Sequence, residues 1–154
     1  MSAEELTSES SRARAMRLRI DLGNIDYARE LHRLTGLGAS QHDLASALFI
    51  SQSGLAAALT AAHQVLPTRP GFSGASPYEL CQRFAAGRLS RAQLLDELTR
   101  WDYTVAAPHT VDTFDDPRVE CQGTIDDIDQ AFDDDLINDA IYNQVLDAVE
   151  GPQP

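Results

Sequence analysis

Apolar residues recur along most of the chain at intervals of three and four residues, which is the spacing of one face of an α-helix. A convincing alternation with a period of two, the pattern of a half-buried strand, is not found. The short pairs Thr104–Val105 and Thr110–Val111 are the best candidates for extended structure. Stripes with helical spacing lie within residues 25–34, 44–48, 55–59, 94–101, 125–132 and 141–149. The pattern therefore predicts an all-α protein.

Capping boxes mark the starts of several predicted helices. In a capping box, Ser or Thr is followed three residues later by an acidic residue or Gln, and the two residues satisfy backbone N–H groups that the helix itself leaves unbonded. The boxes are Ser40 with Asp43, Ser76 with Glu79, Ser90 with Gln93, and Thr124 with Asp127. Pro77 follows one of them and suits the first helical position. These signals support the helical prediction.

Two segments rich in helix-breaking residues divide the chain. Residues 67–77, PTRPGFSGASP, have the composition of a linker, and residues 102–123, which contain two prolines, have that of a long loop. The predicted parts are a helix-turn-helix bundle with a basic N-terminal patch at 1–66, a helical hairpin at 78–101 and an acidic helical hairpin at 124–150. We expect residues 1–11 and 151–154 to be frayed.

The composition limits the class of protein. A chain of 154 residues with 43% hydrophobic residues can build a core, and two cysteines are too few for a disulfide scaffold. The sequence has neither a run of about 18 apolar residues nor a signal-peptide pattern, so we expect a cytoplasmic protein with no membrane contact.

The net charge of −12 is concentrated in the last third of the chain. Residues 109–154 contain thirteen acidic residues and one arginine, whereas residues 12–19 form a basic patch with four arginines. The acidic run has three open interpretations: a surface for a basic protein partner such as a toxin, a mimic of DNA that masks the arginines, or a solvated helix face. The candidate partner-binding residues are Asp126, Asp127, Asp133, Asp134 and Asp135.

The segment at 40–59, SQHDLASALFISQSGLAAAL, has the pattern of two short helices joined by a tight turn. We expect Leu44 and Ala45 to be buried, Leu48 and Ile50 to bracket the turn, and Leu55 and Leu59 to anchor the second helix to the core. The small Ala45 lets two helices cross closely. On these residues, the chain at about 24–66 resembles the helix-turn-helix domain of the Cro/phage-repressor (XRE) group, with residues 25–36 as its first helix.

This resemblance implies a DNA-binding protein whose second motif helix enters the major groove. Gln reads adenine bidentately, and Ser bonds to bases or phosphates. The DNA-binding residues implied in this way are Gln41, Ser51, Gln52, Ser53, Arg17 and Arg19, the arginines supplying phosphate contacts. Such domains usually read two half-sites, so the resemblance also implies a homodimer bound to double-stranded DNA.

Two features depart from the family pattern. Phe49 stands at the turn position that is usually Gly, and Phe is poor at positive φ, so an altered turn or a packed ring is expected. Between Ser40 and Gln64 there is no Arg or Lys to hold phosphates. Two functions therefore stay open: a DNA-binding regulator or antitoxin-like protein, and a protein-interaction module such as an inhibitor, immunity protein or adaptor.

The hairpin at 81–101, CQRFAAGRLSRAQLLDELTRW, is similar to hairpins of small bacterial antitoxins, including those that cap Fic adenylyltransferases. It lacks their inhibitory Ser/Thr-x-x-x-Glu-Gly/Asn motif. Antitoxins often join a DNA-binding part to a toxin-binding part, and the chain has this outline.

Residue patterns for catalysis or cofactor binding are missing. The four histidines show no metal-ligand spacing, and there is no phosphate loop, dinucleotide fingerprint or nucleophile elbow. Cys81 lies on an apolar helix face and is expected to be buried, as is Trp101. We therefore expect neither an enzyme nor a cofactor.

Overall fold

The computed structural model describes residues 1–103 and 124–150. Within these ranges the chain is helical and contains no strand, so the all-α prediction is confirmed. The helices are α1 (Ala3–Glu9), α2 (Ser11–Gly36), α3 (Gln41–Leu48), α4 (Gln52–Ala62), α5 (Pro77–Ala85), α6 (Arg91–Arg100), α7 (Ile125–Asp133) and α8 (Asp139–Glu150). The predicted pair Thr104–Val105 and Thr110–Val111, residues 104–123 of the predicted loop and residues 151–154 lie outside the described residues.

The chain divides into two compact units, Met1–Pro67 and Thr68–Pro154. In the first unit, α4 packs against α2 and α3. Its core consists of Leu31, Leu44, Ala45 and Leu55, with Leu34, Leu48, Ala58 and Leu59 packed around them. These are residues of the predicted stripes, so the apolar spacing placed the helix faces correctly.

The start of the chain is helical, and the prediction of a frayed segment at 1–11 was wrong. Ser2 and Glu5 form a capping box that starts α1, with the Ser2 N–H donating to the Glu5 carboxylate at 2.8 Å. After Ser10, α2 continues for 26 residues. The sequence up to Gly23 contains neither Pro nor Gly and is rich in Ala, Leu, Arg and Glu, which are strong helix formers.

In the second unit, α5 packs against α6 and α7, while α8 packs against α6 and α7. The core includes Leu80, Leu94, Leu98, Ile128, Ile141 and Val145. Cys81 and Trp101 are buried as expected. A buried ion pair also lies here, with the Arg83 guanidinium donating to the Glu79 carboxylate at 3.0 Å.

The segment predicted to be a linker, 67–77, belongs mostly to the second unit. The Phe72 ring packs edge-on against Trp101, with 4.6 Å between ring centroids. The Ser73 hydroxyl donates to the buried carboxylate of Glu97 at 2.8 Å, and the Ser73 N–H donates to the same carboxylate. The linker prediction was therefore wrong beyond its first residues, because buried contacts with α6 hold the segment in place.

Candidate nucleic-acid interface

Helices α3 and α4 form a bent pair joined by three residues, 49–51. The helix direction changes by 103° across this turn. A turn of three or four residues and an angle of 90–120° are typical of helix-turn-helix pairs. Leu44 and Ala45 on α3 and Leu55 on α4 meet in the core, and this contact sets the angle.

Phe49 ends α3 in the left-handed conformation, with φ 59° and ψ 37°. The N–H of Ile50 donates to the Ala45 carbonyl at 3.1 Å, the long-range bond of a Schellman motif. The turn is therefore an ordinary helix end, and the expectation of an altered turn was wrong. The ring is 95% exposed, so the alternative of a packed aromatic was wrong as well.

The first turn of α4 is held by side chains at its N-terminus. The Ser51 hydroxyl accepts a hydrogen bond from the Gly54 N–H at 3.0 Å and lies 3.2 Å from the Ser53 hydroxyl. The Gln52 amide donates to Nδ1 of His42 at 2.7 Å. This bond links the first turns of α3 and α4 and restrains the Gln52 side chain.

His42 was not among the predicted site residues. It is ten positions from Gln52 in sequence and on another helix, so no local spacing signals the contact. The one available signal was its position beside Gln41 in the first turn of α3.

The outer face of α4 is small and uncharged. Gln52, Ser53 and Thr60 are exposed and supply hydroxyl and amide groups. The side chains of Ala56 and Ala57 are also exposed, and because they are small they allow another molecule to approach the α4 backbone closely. The N–H groups of the first turn have no acceptor within the helix, and a helix N-terminus attracts anions. Gln41, at the start of α3, is also exposed.

Arg17 and Arg19 do not lie beside this face. The Arg29 guanidinium donates to the Leu66 carbonyl at 3.0 Å, and a ring nitrogen of His32 lies 2.6 Å from the Ala62 carbonyl. The C-terminal end of α4 therefore meets the C-terminal half of α2, at Arg29 and His32. Because Arg17 and Arg19 lie farther toward the N-terminus of α2, they are at the opposite end of the unit from Gln52. The structure does not bring them into one site.

The five predicted partner-binding aspartates divide into two groups. Asp126, Asp133 and Asp135 are exposed. Asp127 is half-buried, and Asp134 accepts hydrogen bonds from the Tyr78 hydroxyl at 2.6 Å and from Gln130 at 3.0 Å. At least Asp134 is therefore used within the fold, which narrows the predicted acidic surface.

Tyr142 identifies a further part of the acidic surface that the sequence reasoning did not single out. Its hydroxyl donates to the Asp129 carboxylate at 2.6 Å. This bond raises the pKa of Tyr142, as do burial and the negative charges of Asp129, Asp133 and Glu150. Acidic side chains of α7 and α8 therefore act together on the Tyr142 hydroxyl.

The described residues contain no cluster of three or more His, Cys, Asp or Glu side chains suited to a metal ion. Burial raises the pKa of the Cys81 thiol to about 12, with a contribution from Asp127, so the thiol stays protonated at neutral pH. A groove of about 340 Å³ between α2 and α4 is lined mainly by apolar side chains, including Ile25, Ala61 and Val65.

No single helix in the described ranges is both long and apolar enough to cross a membrane. The bent α3–α4 pair reaches the required length and hydropathy only when its two helices are counted together.

Comparison of the chain with models of known protein families, with curated proteins and with solved structures gives no significant match.

Proposed function

We propose that the protein is a cytoplasmic DNA-binding regulator of the antitoxin type, which reads DNA with α4 and binds a basic protein partner through its acidic second unit. The observation that carries the proposal is the α3–α4 pair: a bend of 103°, a three-residue turn and an exposed polar first turn of α4. This geometry suits a helix that enters the major groove N-terminus first.

In this function Gln52 reads a base edge. Gln offers one donor and one acceptor, which match adenine in the major groove. Because His42 takes one hydrogen of the Gln52 amide, the side-chain oxygen and the second hydrogen remain for the base. Ser51 and Ser53 lie at the helix N-terminus, where hydroxyl and N–H groups bind phosphate, and Gln41 does the same at the start of α3.

The missing cations on α3 and α4 limit the affinity. Each phosphate neutralised by a cation contributes about −0.9 to the slope of log affinity against log salt concentration. Since α4 carries no Arg or Lys, hydrogen bonds rather than charge must fix it in the groove. We expect a shallow salt slope for this interface and a correspondingly modest affinity.

The test is fluorescence anisotropy with DNA from just upstream of the gene and with scrambled DNA of equal length, across a salt series. We expect the double variant Gln52→Ala/Ser53→Ala to bind both DNAs equally, with unchanged thermal unfolding. The matched control is Asn143→Ala/Gln144→Ala, two exposed polar residues on α8. Unchanged sequence preference in the α4 variant would remove α4 from the role of reading helix.

A second candidate function is a protein-interaction module without DNA binding. It is favoured by the uncharged face of α4 and by the net charge of −12. A titration with unrelated DNA at low salt separates the two functions. A regulator shows weak binding to unrelated DNA at low salt, whereas a module of the second kind shows no binding at any salt concentration.

A further inference from the structure

One face of α2 carries apolar residues along most of the helix, and on this face only the C-terminal end is covered, whereas the fully buried Leu22 lies on the opposite side of the helix. Leu31 on this face lies in the core of the first unit and Leu34 packs against it. Earlier on the same helix, Met16, Ile20 and Tyr27 continue the face at helical spacing, since they are separated by four and seven residues. Their exposed fractions are 48%, 64% and 43%.

Exposed apolar side chains are concentrated in this part of the molecule. Among the described residues, all the large hydrophobic side chains that are exposed lie between Met1 and Leu66. Single exposed apolar residues are ordinary, but a contiguous stripe that extends from a core marks a surface for another protein.

The charges along α2 indicate which protein covers the stripe. Residues 12–19 contain four arginines and no acidic residue, whereas residues 21–30 contain three acidic residues and one arginine. A second α2 helix laid antiparallel places the basic segment of each copy against the acidic segment of the other. A parallel arrangement would instead place the two basic segments side by side, where they repel each other.

Gly23 is placed where such a pair needs a small residue. It lies between Ile20 and Tyr27 on the apolar face, and a Cβ atom at this position would meet nothing within 4 Å in the chain itself. Gly in a helix interior is unfavourable relative to Ala, and no contact within the chain requires it here. In an antiparallel pair centred between residues 21 and 22, Gly23 of each copy lies opposite Ile20 of the other, and Met16 lies opposite Tyr27.

We propose that the chain forms a two-fold antiparallel dimer through this face of α2, with Ile20 of each copy packed over Gly23 of the second copy. The contact extends over residues 13–30, about 27 Å at the helical rise of 1.5 Å per residue. An interface of this length lies at the small end for stable dimers, so the dimer dissociates on dilution. This inference rests on α2 alone and does not depend on DNA binding, although two copies would present two α4 helices to two half-sites.

The test is sedimentation velocity of the full chain over a concentration series. Wild-type protein shifts from monomer to dimer, and Ile20→Glu remains monomeric at concentrations where wild type is dimeric. The matched control is Leu37→Glu, which places the same charge at a residue that is 72% exposed and outside the stripe. It dimerises like wild type. A wild-type chain that is monomeric throughout the series overturns the proposal, as does an Ile20→Glu variant that dimerises normally.

Gly23→Leu separates loss of the interface from loss of folding. Because the position is open in the single chain, thermal unfolding of the monomer does not fall, yet the dimer dissociates at least tenfold more readily. A variant that dimerises as well as wild type contradicts the close approach at Gly23.

A spin label distinguishes the antiparallel pair from other dimers. Arg12→Cys, labelled in a Cys121→Ser background with Cys81 buried, places the two labels about 30 Å apart, because residue 12 lies opposite residue 31 of the second copy. A dimer with parallel α2 helices would bring the labels to within about 10 Å of each other. In a dimer formed through another surface, the distance between the labels would be the same with and without Gly23→Leu.

Discussion

Phe49 occupies a backbone conformation that its side chain does not favour. At φ 59° a residue with a Cβ atom is strained, and the ring, 95% exposed, recovers little by packing. The left-handed conformation costs a non-glycine residue roughly 1–2 kcal/mol. Glycine would relieve this cost but would lose about 0.5–1 kcal/mol through the greater freedom of the unfolded chain.

We therefore expect Phe49→Gly to raise the free energy of unfolding by about 0.5–1 kcal/mol, measured by urea titration. Phe49→Ala is the control, because it removes the same exposed ring but keeps the strain. A Gly variant no more stable than the Ala variant would show that the turn stores no strain. A gain in stability accompanied by a loss of binding would assign the exposed ring to a partner contact.

At the scale of single residues, the sequence predicted burial better than contacts. Cys81 and Trp101 lie on apolar faces, and both are buried as expected. The bond between Gln52 and His42, by contrast, joins two helices, and its existence depends on the 103° angle that packing at Ala45 sets. A side-chain pair of this kind cannot be predicted before the helix crossing is known.

At the scale of elements, Glu97 connects the 68–76 segment to α6. The Glu97 side chain is only 6% exposed and accepts from both the N–H and the hydroxyl of Ser73. Loss of a buried acceptor leaves these donors without a partner, at a cost of about 1–3 kcal/mol. The segment would then no longer be held against α6, whereas α6 itself would stay helical.

We expect Glu97→Ala to lower the free energy of unfolding of the second unit by about 1–3 kcal/mol and to speed hydrogen exchange at the Ser73 amide. Native-state hydrogen exchange measures both effects. Asp147→Ala is the matched control, because Asp147 is an exposed carboxylate on α8 of the same unit. Equal exchange at Ser73 in the two variants would mean that Phe72 and Trp101 hold the segment without Glu97.

Helix starts were predictable where a polar cap precedes an apolar stripe. Ser40, Ser76 and Ser90 each accept a hydrogen bond from the N–H three residues later, and among these three serines the reciprocal bond that completes the predicted box is formed at Ser90, with Gln93. Thr124 precedes α7 as expected, but its side chain makes no capping bond. The first half of α2 was missed because arginines interrupt its apolar residues, so the helical spacing there is hard to recognise. Glu97 was missed because a carboxylate on a helix normally indicates an exposed face.

At the scale of the whole molecule, charge is separated along the chain. The described acidic side chains of α7 and α8 include exposed Asp126, Asp133 and Asp135, whereas the basic patch at 12–19 belongs to the first unit. A net charge of −12 repels the DNA backbone at long range, whatever α4 contributes at short range. This repulsion is screened over a Debye length of about 10 Å at 0.1 M salt.

Neutralising exposed acids should therefore strengthen DNA binding without touching α4. The triple variant Asp126→Asn/Asp133→Asn/Asp135→Asn changes the net charge from −12 to −9, because three negative charges are removed. Asn is suited to position 135, where φ is 58° and a small polar side chain tolerates the left-handed conformation. We expect a roughly two- to fivefold gain in DNA affinity at low salt, which disappears as the Debye length shortens.

The measurement is DNA anisotropy for wild type and the variant across one salt series. Asp126→Glu/Asp133→Glu keeps the charge and should match wild type throughout. If the DNA affinity of the Asn variant equals that of wild type at low salt, the acidic surface does not repel DNA. Its negative charge would then serve the binding of a basic protein partner. If instead the gain persists at high salt, the acidic side chains compete with DNA by direct contact, because screening removes only the long-range part. The salt dependence thus separates repulsion by net charge from masking of the DNA-binding surface.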